Sequence, residues 1–332
     1  MRPALPPANP RRTYSFGAVH DIRVKRRLDE SELASLTALL DAATEADAHP
    51  ALDEHAWLDL VQGGRAGFAG LMAWEPGHPH PVGYAQLTRG DDTHGRGNGS
   101  WALEVVVDPH HRVPGNTIGA DLLAAALEVV SAEGGGHLHL WVTRPSPFHD
   151  RMAAAAGLTP GRALYQMRRG LPAEERSTLQ VRAFRVGADE QAWLEVNNRA
   201  FAWHPEQGGW SLETLVARQA QPWFDPGGFL LHEVDGRLAG FCWTKVHEGH
   251  TAPVGEIYVV AVDPDFTGRG LGRQLVLAGL DHMVALHIGE AMLYVDATNR
   301  PAVKLYVDLG FLVNHIDRAY TGDIAPVRPR PG

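Results

Sequence analysis

Apolar and polar positions alternate along this chain in patterns that predict short strands interleaved with helices. In the first half, strands are predicted over 66–74, 82–87, 101–107, 137–142 and 165–168, and helices over 29–48, 117–132 and 148–156. In the second half, strands are predicted over 181–186, 228–234, 238–246, 256–262, 291–295 and 311–316, and helices over 190–200, 274–285 and 299–309. Asp235-Gly236 stands between two of these strands and predicts a hairpin turn.

The two halves show the same order of elements, which indicates a duplicated domain rather than a solenoid. Val107-Asp108-Pro109 corresponds to Val262-Asp263-Pro264, and Ala156-Gly157-Leu158 corresponds to Leu309-Gly310-Phe311. A length of 332 residues suits two domains of about 150 residues each. We expect a disordered tail over 1–16, an N-terminal domain over 17–170, a linker over 171–180, a C-terminal domain over 181–320 and a tail over 321–332.

The composition predicts a soluble protein, with 44% hydrophobic and 21% charged residues. The net charge of −9 argues against nucleic acid as a partner. The chain has neither an apolar run of membrane-spanning length nor the apolar core of a signal peptide. The single cysteine, Cys242, fits a reducing cytoplasm, and its apolar neighbours favour a buried core thiol over a nucleophile. We expect a cytoplasmic monomer.

A glycine-rich loop follows the strand that ends at Asp263-Pro264. Its sequence is Thr-Gly-Arg-Gly-Leu-Gly-Arg over 267–273, and a helix follows. Loop amides, first-turn N–H groups and the helix dipole form an anion site, to which Arg269 and Arg273 add full charges. Two other interpretations stay open at this point. One is a dinucleotide-binding loop, for which the glycine spacing and Glu290 fit poorly; the other is a plain turn with solvated arginines.

The halves differ where chemistry would take place. Seven residues before the Asp of Asp-Pro, the second half has Glu256 and the first has Trp101. Four residues before the late glycine, the second half has Tyr306 and the first has Ala153. The first loop has lost two glycine positions and has gained Pro114, which lacks an amide donor. We therefore expect a catalytic second half and an inactive first copy.

A strand ending in Val-Asp-Pro and followed by x-Gly-x-Gly-x-Gly-Arg resembles the GNAT N-acetyltransferases, whose loop cradles the pyrophosphate of coenzyme A. Segments 204–210 (His-Pro-Glu-Gln-Gly-Gly-Trp), 243–247, 255–272 and 293–311 resemble the mycothiol synthases, a family of two-domain GNAT enzymes. The resemblance covers 180–320 well and the first half in outline. It implies an α/β (α+β) fold of tandem duplicated GNAT acyltransferase domains, each a mixed, mostly antiparallel twisted sheet flanked by helices.

The resemblance also implies transfer of acetyl from acetyl-CoA to the cysteinyl amine of cysteinyl-glucosaminyl-inositol, which forms mycothiol. It assigns acetyl-CoA contacts to Val260, Ala261, Val262, Thr267, Gly268, Arg269, Gly270, Leu271, Gly272, Arg273, Asn299, Arg300, Pro301, Ala302, Val303 and Lys304. It assigns substrate contacts to Glu54, Glu206, Lys245, Glu256 and Tyr294. A weak second coenzyme A site would lie at Val105, Val106 and Val107. The alternative is that the first copy only forms a wall of the substrate pocket. Thr267 replaces the Gln or Arg usual in the family, which removes one phosphate contact.

The chemistry of acetyl transfer gives roles to Glu256 and Tyr306. An α-amino group has a pKa of about 8 and must lose a proton before it attacks, so Glu256 would be the base, directly or through water. Tyr306 would protonate the leaving thiolate, and a backbone amide near Val260 would polarise the thioester carbonyl. The pantetheine arm would pair with the same strand edge. The alternatives are a cross-strand ion pair for Glu256, a core position for Tyr306 and a solvated turn for Glu206.

The eighteen histidines are scattered, and no pair has the context of metal ligands, so no metal is expected. His247 and His250 flank a loop and are expected at the surface. Two other functions stay open. One is a GNAT enzyme that acts on another small-molecule or peptide amine, and the other is a coenzyme A sensor without catalysis.

Overall fold

The computed structural model describes residues 20–47, 49–62, 67–90, 100–202, 207–248 and 252–327. The tail predicted over 1–16, the substrate residue Glu206 and the surface histidine His250 lie outside these ranges. The chain divides into two compact units. Unit 1 comprises Met1–Arg162 and Asp317–Gly332, and unit 2 comprises Ala163–Ile316.

Unit 1 is a mixed sheet with helices on both faces. Its strands are β1 (Asp21–Lys25), β2 (Phe68–Trp74), β3 (Gly83–Arg89), β4 (Ser100–Val107) and β5 (Gly136–Thr143). Its helices are α1 (Glu30–Asp47), α2 (Glu54–Gln62), α3 (Ile118–Ala132) and α4 (Pro147–Ala155). Neighbouring strands run antiparallel except β4 and β5, which are parallel. Leu122 and Val130 of α3 are buried in one apolar cluster, and Leu36 and Leu39 of α1 are buried in another.

Unit 2 has the same plan. Its strands are the second part of β6 (Thr159–Gly170), β7 (Arg182–Ala183), β8 (Phe229–Val234), β9 (Arg237–His247), β10 (Val254–Val262) and β11 (Glu290–Asp296). Its helices are α5 (Glu190–Ala200), α6 (Leu212–Gln219), α7 (Leu271–Ala285) and α8 (Arg300–Asp308). The order along the sheet is β6-β11-β10-β9-β8-β7, and only β10 and β11 are parallel. Asp235 and Gly236 have φ values of 51° and 74°, as the predicted hairpin turn requires.

The two faces of the unit 2 sheet carry separate apolar clusters. One, called here the α7 face, contains Leu275 and Leu280 of α7 with Cys242 and Ile257 of the sheet. The other, called the α5 face, contains Trp193 of α5 with Phe241 and Trp243 of the sheet. Cys242 is fully buried, as predicted, and burial raises the pKa of its thiol to about 12. The thiol therefore stays protonated at neutral pH and packs as a core side chain.

Each unit is completed by a strand from the other half of the sequence. β12 (Leu312–Ile324) contributes residues 317–324 to unit 1, where Tyr320 pairs with Leu140 of β5. Residues 163–170 of β6 join unit 2, where Met167 pairs with Leu293 of β11. The expected boundaries at 170, 181 and 320 therefore differ from those of the compact units. The physical reason is burial: the Tyr320 side chain lies in the core of unit 1, and Met167 lies in that of unit 2.

Several elements differ from the sequence-based predictions. The helices α2 and α6 and the strand β1 were not predicted, and the strand predicted over 181–186 is reduced to Arg182–Ala183. The segment 321–324, predicted to be tail, belongs to β12. None of the helices in the described ranges combines the length and the apolar character that crossing a bilayer requires.

Candidate active site

The site in unit 2 is built around a sheet that opens between its two parallel strands. β10 and β11 pair at only three positions, the last of which joins Ile257 to Leu293. β10 nevertheless continues to Val262 and β11 to Asp296. The backbone of β10 beyond Ile257 therefore faces the opening instead of a neighbouring strand, and its N–H and C=O groups on that edge are available to a ligand.

A β-bulge lies at the start of this opening. The register of β10 against β9 shifts between Ile257 and Val259, because Ile257 pairs with Thr244 and Val259 pairs with Trp243. Tyr258 is the extra residue, and both Tyr258 and Val259 pack on the α5 face, whereas Val260 returns to the α7 face. Bulges bend a strand and re-aim its backbone groups, and they are common beside active sites. This bulge precedes Val260, where an amide was predicted to polarise the thioester carbonyl.

Glu256 lies on β10 immediately before the opening. It is 7% exposed, and it pairs in register with Lys245 of β9. Because side chains alternate along a strand, Glu256 lies on the opposite face from Ile257, which is the α5 face. Its Oε2 is 2.6 Å from Nε2 of His247. His247, predicted at the surface, has a side chain that is 31% exposed, and its ring also contacts the candidate base.

Lys245 stands over an aromatic surface on the same face. Its Nζ is 4.4 Å from the ring centroid of Trp223 and 5.4 Å from that of Tyr258. The Tyr258 hydroxyl accepts a hydrogen bond of 3.1 Å from Nε of Arg218, whose guanidinium stacks 4.1 Å from the Trp210 ring. Cation–π contacts of this kind fix a charged head without neutralising it. This face therefore carries two ordered cations, of which Lys245 lies opposite Glu256 in the register of β9 and β10.

Tyr294 of β11 is part of a polar network. Its hydroxyl accepts a 2.9 Å hydrogen bond from the amide of Gln166, which is buried on β6. The Gln166 carbonyl oxygen accepts from Arg168 at 3.0 Å and from Asn314 at 2.9 Å. Gln166 is therefore held in one orientation, and it holds Tyr294 in turn. With 42% of its surface exposed, Tyr294 still reaches solvent, as a substrate contact must.

Tyr306 lies on α8 and is buried on the α7 face, against Phe311. Burial raises the pKa of its phenol well above the ordinary value, and the nearby Cys242 adds to the effect. Tyr306 and Glu256 therefore belong to opposite faces of the sheet. The opening between β10 and β11 is the place where groups from both faces can reach one ligand. Sequence spacing alone could not predict this division.

The glycine-rich loop leads into the N-terminus of α7. Gly268 and Gly270 have φ values of 78° and 74°, and a Cβ placed at either would meet no atom within 4 Å. Gly270 directly precedes the helix and has no side chain that could cap its first N–H groups. The loop therefore presents open amides at a positive helix end, which suits a phosphate. The Thr267 hydroxyl donates to the Pro264 carbonyl and so stabilises the loop itself.

The two loop arginines have partners of different kinds. Arg273 donates to Glu175 of the predicted linker at 2.7 Å, and Arg269 lies 5.1 Å from the ring centroid of Phe266. The ion pair between Arg273 and Glu175 lies at the surface, where such pairs are weak and exchange easily. Nearby, Asn299 caps α8 by accepting from the Ala302 amide at 3.2 Å, and Lys304 pairs with Asp308. The Asn299 cap fixes the start of α8, where residues 299–304 were predicted to contact acetyl-CoA.

The corresponding region of unit 1 also opens, because β4 and β5 pair only from Ser100–His137 to Leu103–Leu140, but it has no bulge and side chains bond part of its backbone. β3 and β4 pair without a register shift from Gly83–Val107 to Arg89–Trp101, and Trp101 is fully buried. Arg112 donates to the carbonyl of Val107 at 2.9 Å and to Asp47. The Asn116 side chain accepts from the first amide of α3 at 2.8 Å. Val105–Val107 therefore belong to a strand without a bulge, beside a helix end that is already capped.

Four predicted site residues lie together in unit 2, namely Glu256, Lys245, Tyr294 and Tyr306. The glycine-rich loop 267–273 and the segment 299–304 belong to the same unit. Glu54 begins α2 in unit 1. His247, Gln166 and Trp223 were not identified from the sequence. The only signal for His247 was its place on the strand opposite Glu256, and using that signal requires the register of the hairpin.

Comparison with known proteins agrees with this geometry. The model of the Acetyltransferase (GNAT) family matches residues 191–311, which include the opening, the glycine loop and both candidate proton-transfer groups. Two solved structures share the fold. A GCN5-related N-acetyltransferase from Sphaerobacter thermophilus has a TM-score of 0.66 at 22% identity, covering 92% of this chain and 96% of its own. A tandem GNAT protein from the clavulanic acid biosynthesis pathway has a TM-score of 0.67 at 18% identity, covering 93% and 100%. The protein is thus a tandem GNAT acetyltransferase.

Sequence relatives narrow the class. A mycothiol acetyltransferase of Thermobispora bispora is 44% identical over 307 residues, covering 90% of this chain and 99% of its own. That of Acidimicrobium ferrooxidans is 43% identical over 292 residues, covering 86% and 92%. The chain belongs to the mycothiol acetyltransferase family.

The loop before α7 and the corresponding loop before α3 allow a matched test of the predicted phosphate site. Gly270→Ala places a methyl group over the amides at the start of α7, and we expect the KM for acetyl-CoA to rise about tenfold or more. Gly115→Ala is the control, because Gly115 also has a positive φ, 86°, and open space around it. Both variants carry the same backbone strain, so equal effects on steady-state kinetics would contradict the assignment.

Proposed function

We propose that this protein transfers the acetyl group of acetyl-CoA to the cysteinyl amine of cysteinyl-glucosaminyl-inositol and so forms mycothiol. The observation that carries this proposal is a buried carboxylate, Glu256, on a bulged strand beside the opening in the sheet. The relatives are named mycothiol acetyltransferases, which supports the choice of substrate. GNAT acetyltransferases use acetyl-CoA, and in this proposal its acetyl group passes directly to the amine.

Acetyl-CoA would bind to three parts of unit 2. The amides of residues 268–273 and the N-terminus of α7 suit the pyrophosphate, because they are uncapped and face open space. The exposed edge of β10 at Val260, Ala261 and Val262 suits the amides of the pantetheine arm, by the hydrogen bonding of an added strand. Residues 299–304 at the start of α8 would cover the other side.

Glu256 would act as the general base. Its carboxylate accepts a proton from the attacking α-amino group as the new C–N bond forms. His247 touches the carboxylate at 2.6 Å and therefore fixes its direction, and it offers an exit route for the proton toward solvent. In this scheme His247 is a positioning residue, because it acts through Glu256.

Tyr306 would donate a proton to the sulfur when the C–S bond breaks. Because burial raises its pKa, the phenol is protonated over the whole neutral and moderately alkaline range. It is therefore always ready to donate, although it is a weaker acid than an exposed tyrosine. Its position on the α7 face, whereas Glu256 is on the α5 face, supports a scheme with the proton donor and the proton acceptor on opposite sides of the opening.

The amino sugar would lie on the α5 face. Lys245 and Tyr294 present a cation and an ordered hydroxyl, which suit a ligand rich in hydroxyl groups, and the buried Arg218 orders Tyr258 beside Lys245. The predicted contact Glu206 would add an acceptor for the cationic amine, and the contact predicted for Glu54 stays a prediction. We further propose that the enzyme works as a cytoplasmic monomer without a nucleic acid, membrane or metal partner in the acetyl transfer.

Separate Glu256→Gln and Tyr306→Phe variants test the two proton-transfer roles. We expect each to lower kcat by about 10²-fold or more, because each removes general acid–base assistance. The KM for acetyl-CoA should change little, since neither group is assigned to the phosphate cradle. Steady-state release of free thiol measures both constants.

Glu248→Gln is the matched control. Glu248 is exposed and directly follows β9 and His247, so the variant removes a carboxylate next to His247 without touching the base. We expect it to turn over like wild type. A Glu256→Gln or Tyr306→Phe enzyme with wild-type kcat would refute the corresponding role.

Turnover of cysteinyl-glucosaminyl-inositol tests the substrate assignment directly. We expect a mass increase of one acetyl group on the amine, with one free thiol released from acetyl-CoA per product. Efficient acetylation of a peptide or polyamine instead would retain the enzyme class and exclude the substrate. Tight binding of coenzyme A with no acetylation of any amine would identify a sensor.

A further inference from the structure

Histidines from two separate segments of unit 1 meet at the end of β4. His78 lies in the connection between β2 and β3, and Asp108 and His111 directly follow β4. One potential ligand atom from each of these three residues lies within 4.8 Å of the other two. The prediction that no histidine pair has the context of metal ligands holds along the sequence but not in space.

We propose that His78, Asp108 and His111 form a zinc site in unit 1, separate from the acetyl-transfer site. Two imidazoles and one carboxylate are a donor set that Zn²⁺ favours, and water or a fourth side chain completes the tetrahedron. His80 lies outside this three-residue cluster, although its Nε2 is 3.8 Å from Oδ2 of Asp108. The site would tie the β2–β3 connection to the end of β4.

Backbone contacts fix the tautomers of two of the rings. Nδ1 of His78 is 3.0 Å from the carbonyl oxygen of His80, and Nδ1 of His80 is 3.0 Å from that of Pro81. A carbonyl oxygen only accepts, so each Nδ1 must carry the proton. The lone pair of each ring is then on Nε2. Metal-ligating histidines are oriented in this way by a hydrogen bond from the other ring nitrogen.

His111 is oriented by a carboxylate. Its Nε2 is 3.3 Å from Oε2 of Glu75, and its Nδ1 is 3.3 Å from Oδ1 of Asp108. With Nε2–H donated to Glu75, Nδ1 is left to bind a metal beside Asp108. Glu75 is itself held by His20, whose Nε2 is 3.3 Å from its other oxygen. The metal-free alternative is a His111 imidazolium bridging the two carboxylates.

The position of Asp108 in unit 1 can be compared with the same position in unit 2, where no histidine surrounds the aspartate in the described residues. Asp263 corresponds to Asp108, and both are 2% exposed. Asp263 is paired with the guanidinium of Arg199 at 3.0 Å, a cation that cannot ligate a metal. At Asp108 the side-chain partners are the imidazoles of His80, His110 and His111. The inactive copy has therefore replaced a permanent cation by groups that bind metal when neutral.

Zinc binding requires a modest contraction. Ligands at about 2.0–2.2 Å in a tetrahedron stand about 3.3–3.5 Å apart, whereas the three donors span up to 4.8 Å. Rotation of the half-buried His78 and His111 rings can supply this movement. Asp108 stays in place, because it also accepts from the His110 amide at 2.8 Å.

Calorimetric titration of the tag-free, full-length protein with Zn²⁺ tests the proposal. We expect one equivalent to bind per chain, with a rise in Tm that EDTA reverses. His78→Gln and His111→Gln should each weaken binding by about tenfold or more. His137→Gln is the control, because His137 lies in the same unit and pairs with Asp323 at 2.7 Å, outside the cluster. It should bind zinc like wild type.

Two results would overturn the proposal. One is wild-type protein that takes up no zinc, which would favour the metal-free imidazolium bridge. The other is binding by His78→Gln and His111→Gln that equals wild type. If either variant fails to fold, as circular dichroism would show, Co²⁺ bound to wild type gives a second measurement. A visible spectrum of nitrogen–oxygen tetrahedral coordination that Zn²⁺ abolishes supports the site, and its absence refutes it.

Discussion

The separation of β10 from β11 beyond Ile257 and Leu293 is the constraint on which the site depends. Backbone N–H and C=O groups at an open sheet edge need hydrogen-bond partners, and at this edge a bound ligand can supply them. Aromatic packing around Trp193 on one face and α7 with α8 on the other hold the two strands in place. The bulge at Tyr258 then turns the strand so that residues on both faces border one opening.

The two copies show how little must change to remove such a site. In unit 1 the strand pairing has no bulge, Arg112 occupies the end of β4, and Asn116 caps the following helix. The topology is the same, and β4 also separates from β5 after Leu103, but the carbonyl of Val107 and the first amide of α3 already have side-chain partners. Through β6 and β12, each unit is completed by a strand from the other half of the sequence, so unit 1 supplies part of the sheet of unit 2.

Much of this fold is predictable from sequence because its signals are local. The Asp-Pro ends of the central strands, the glycines before α7 and the Asp235-Gly236 turn act within a few residues. The bulge is not predictable, because residues 256–262 are apolar apart from Glu256 and show no alternation that marks Tyr258 as extra. His247 and the cluster around Asp108 depend on registers and connections between distant segments. β1, with Ile22 and Val24 between charged residues, had a local signal that was missed.

A crystal structure of the protein with bound coenzyme A is the most direct test of the central claim. We predict that the pantetheine amides pair with the β10 edge between Tyr258 and Val262, that the pyrophosphate lies on the amides of residues 268–273, and that the sulfur lies between Glu256 and Tyr306. A cofactor bound elsewhere in unit 2, or a β10 edge that pairs with β11 along its whole length in the complex, would contradict the account.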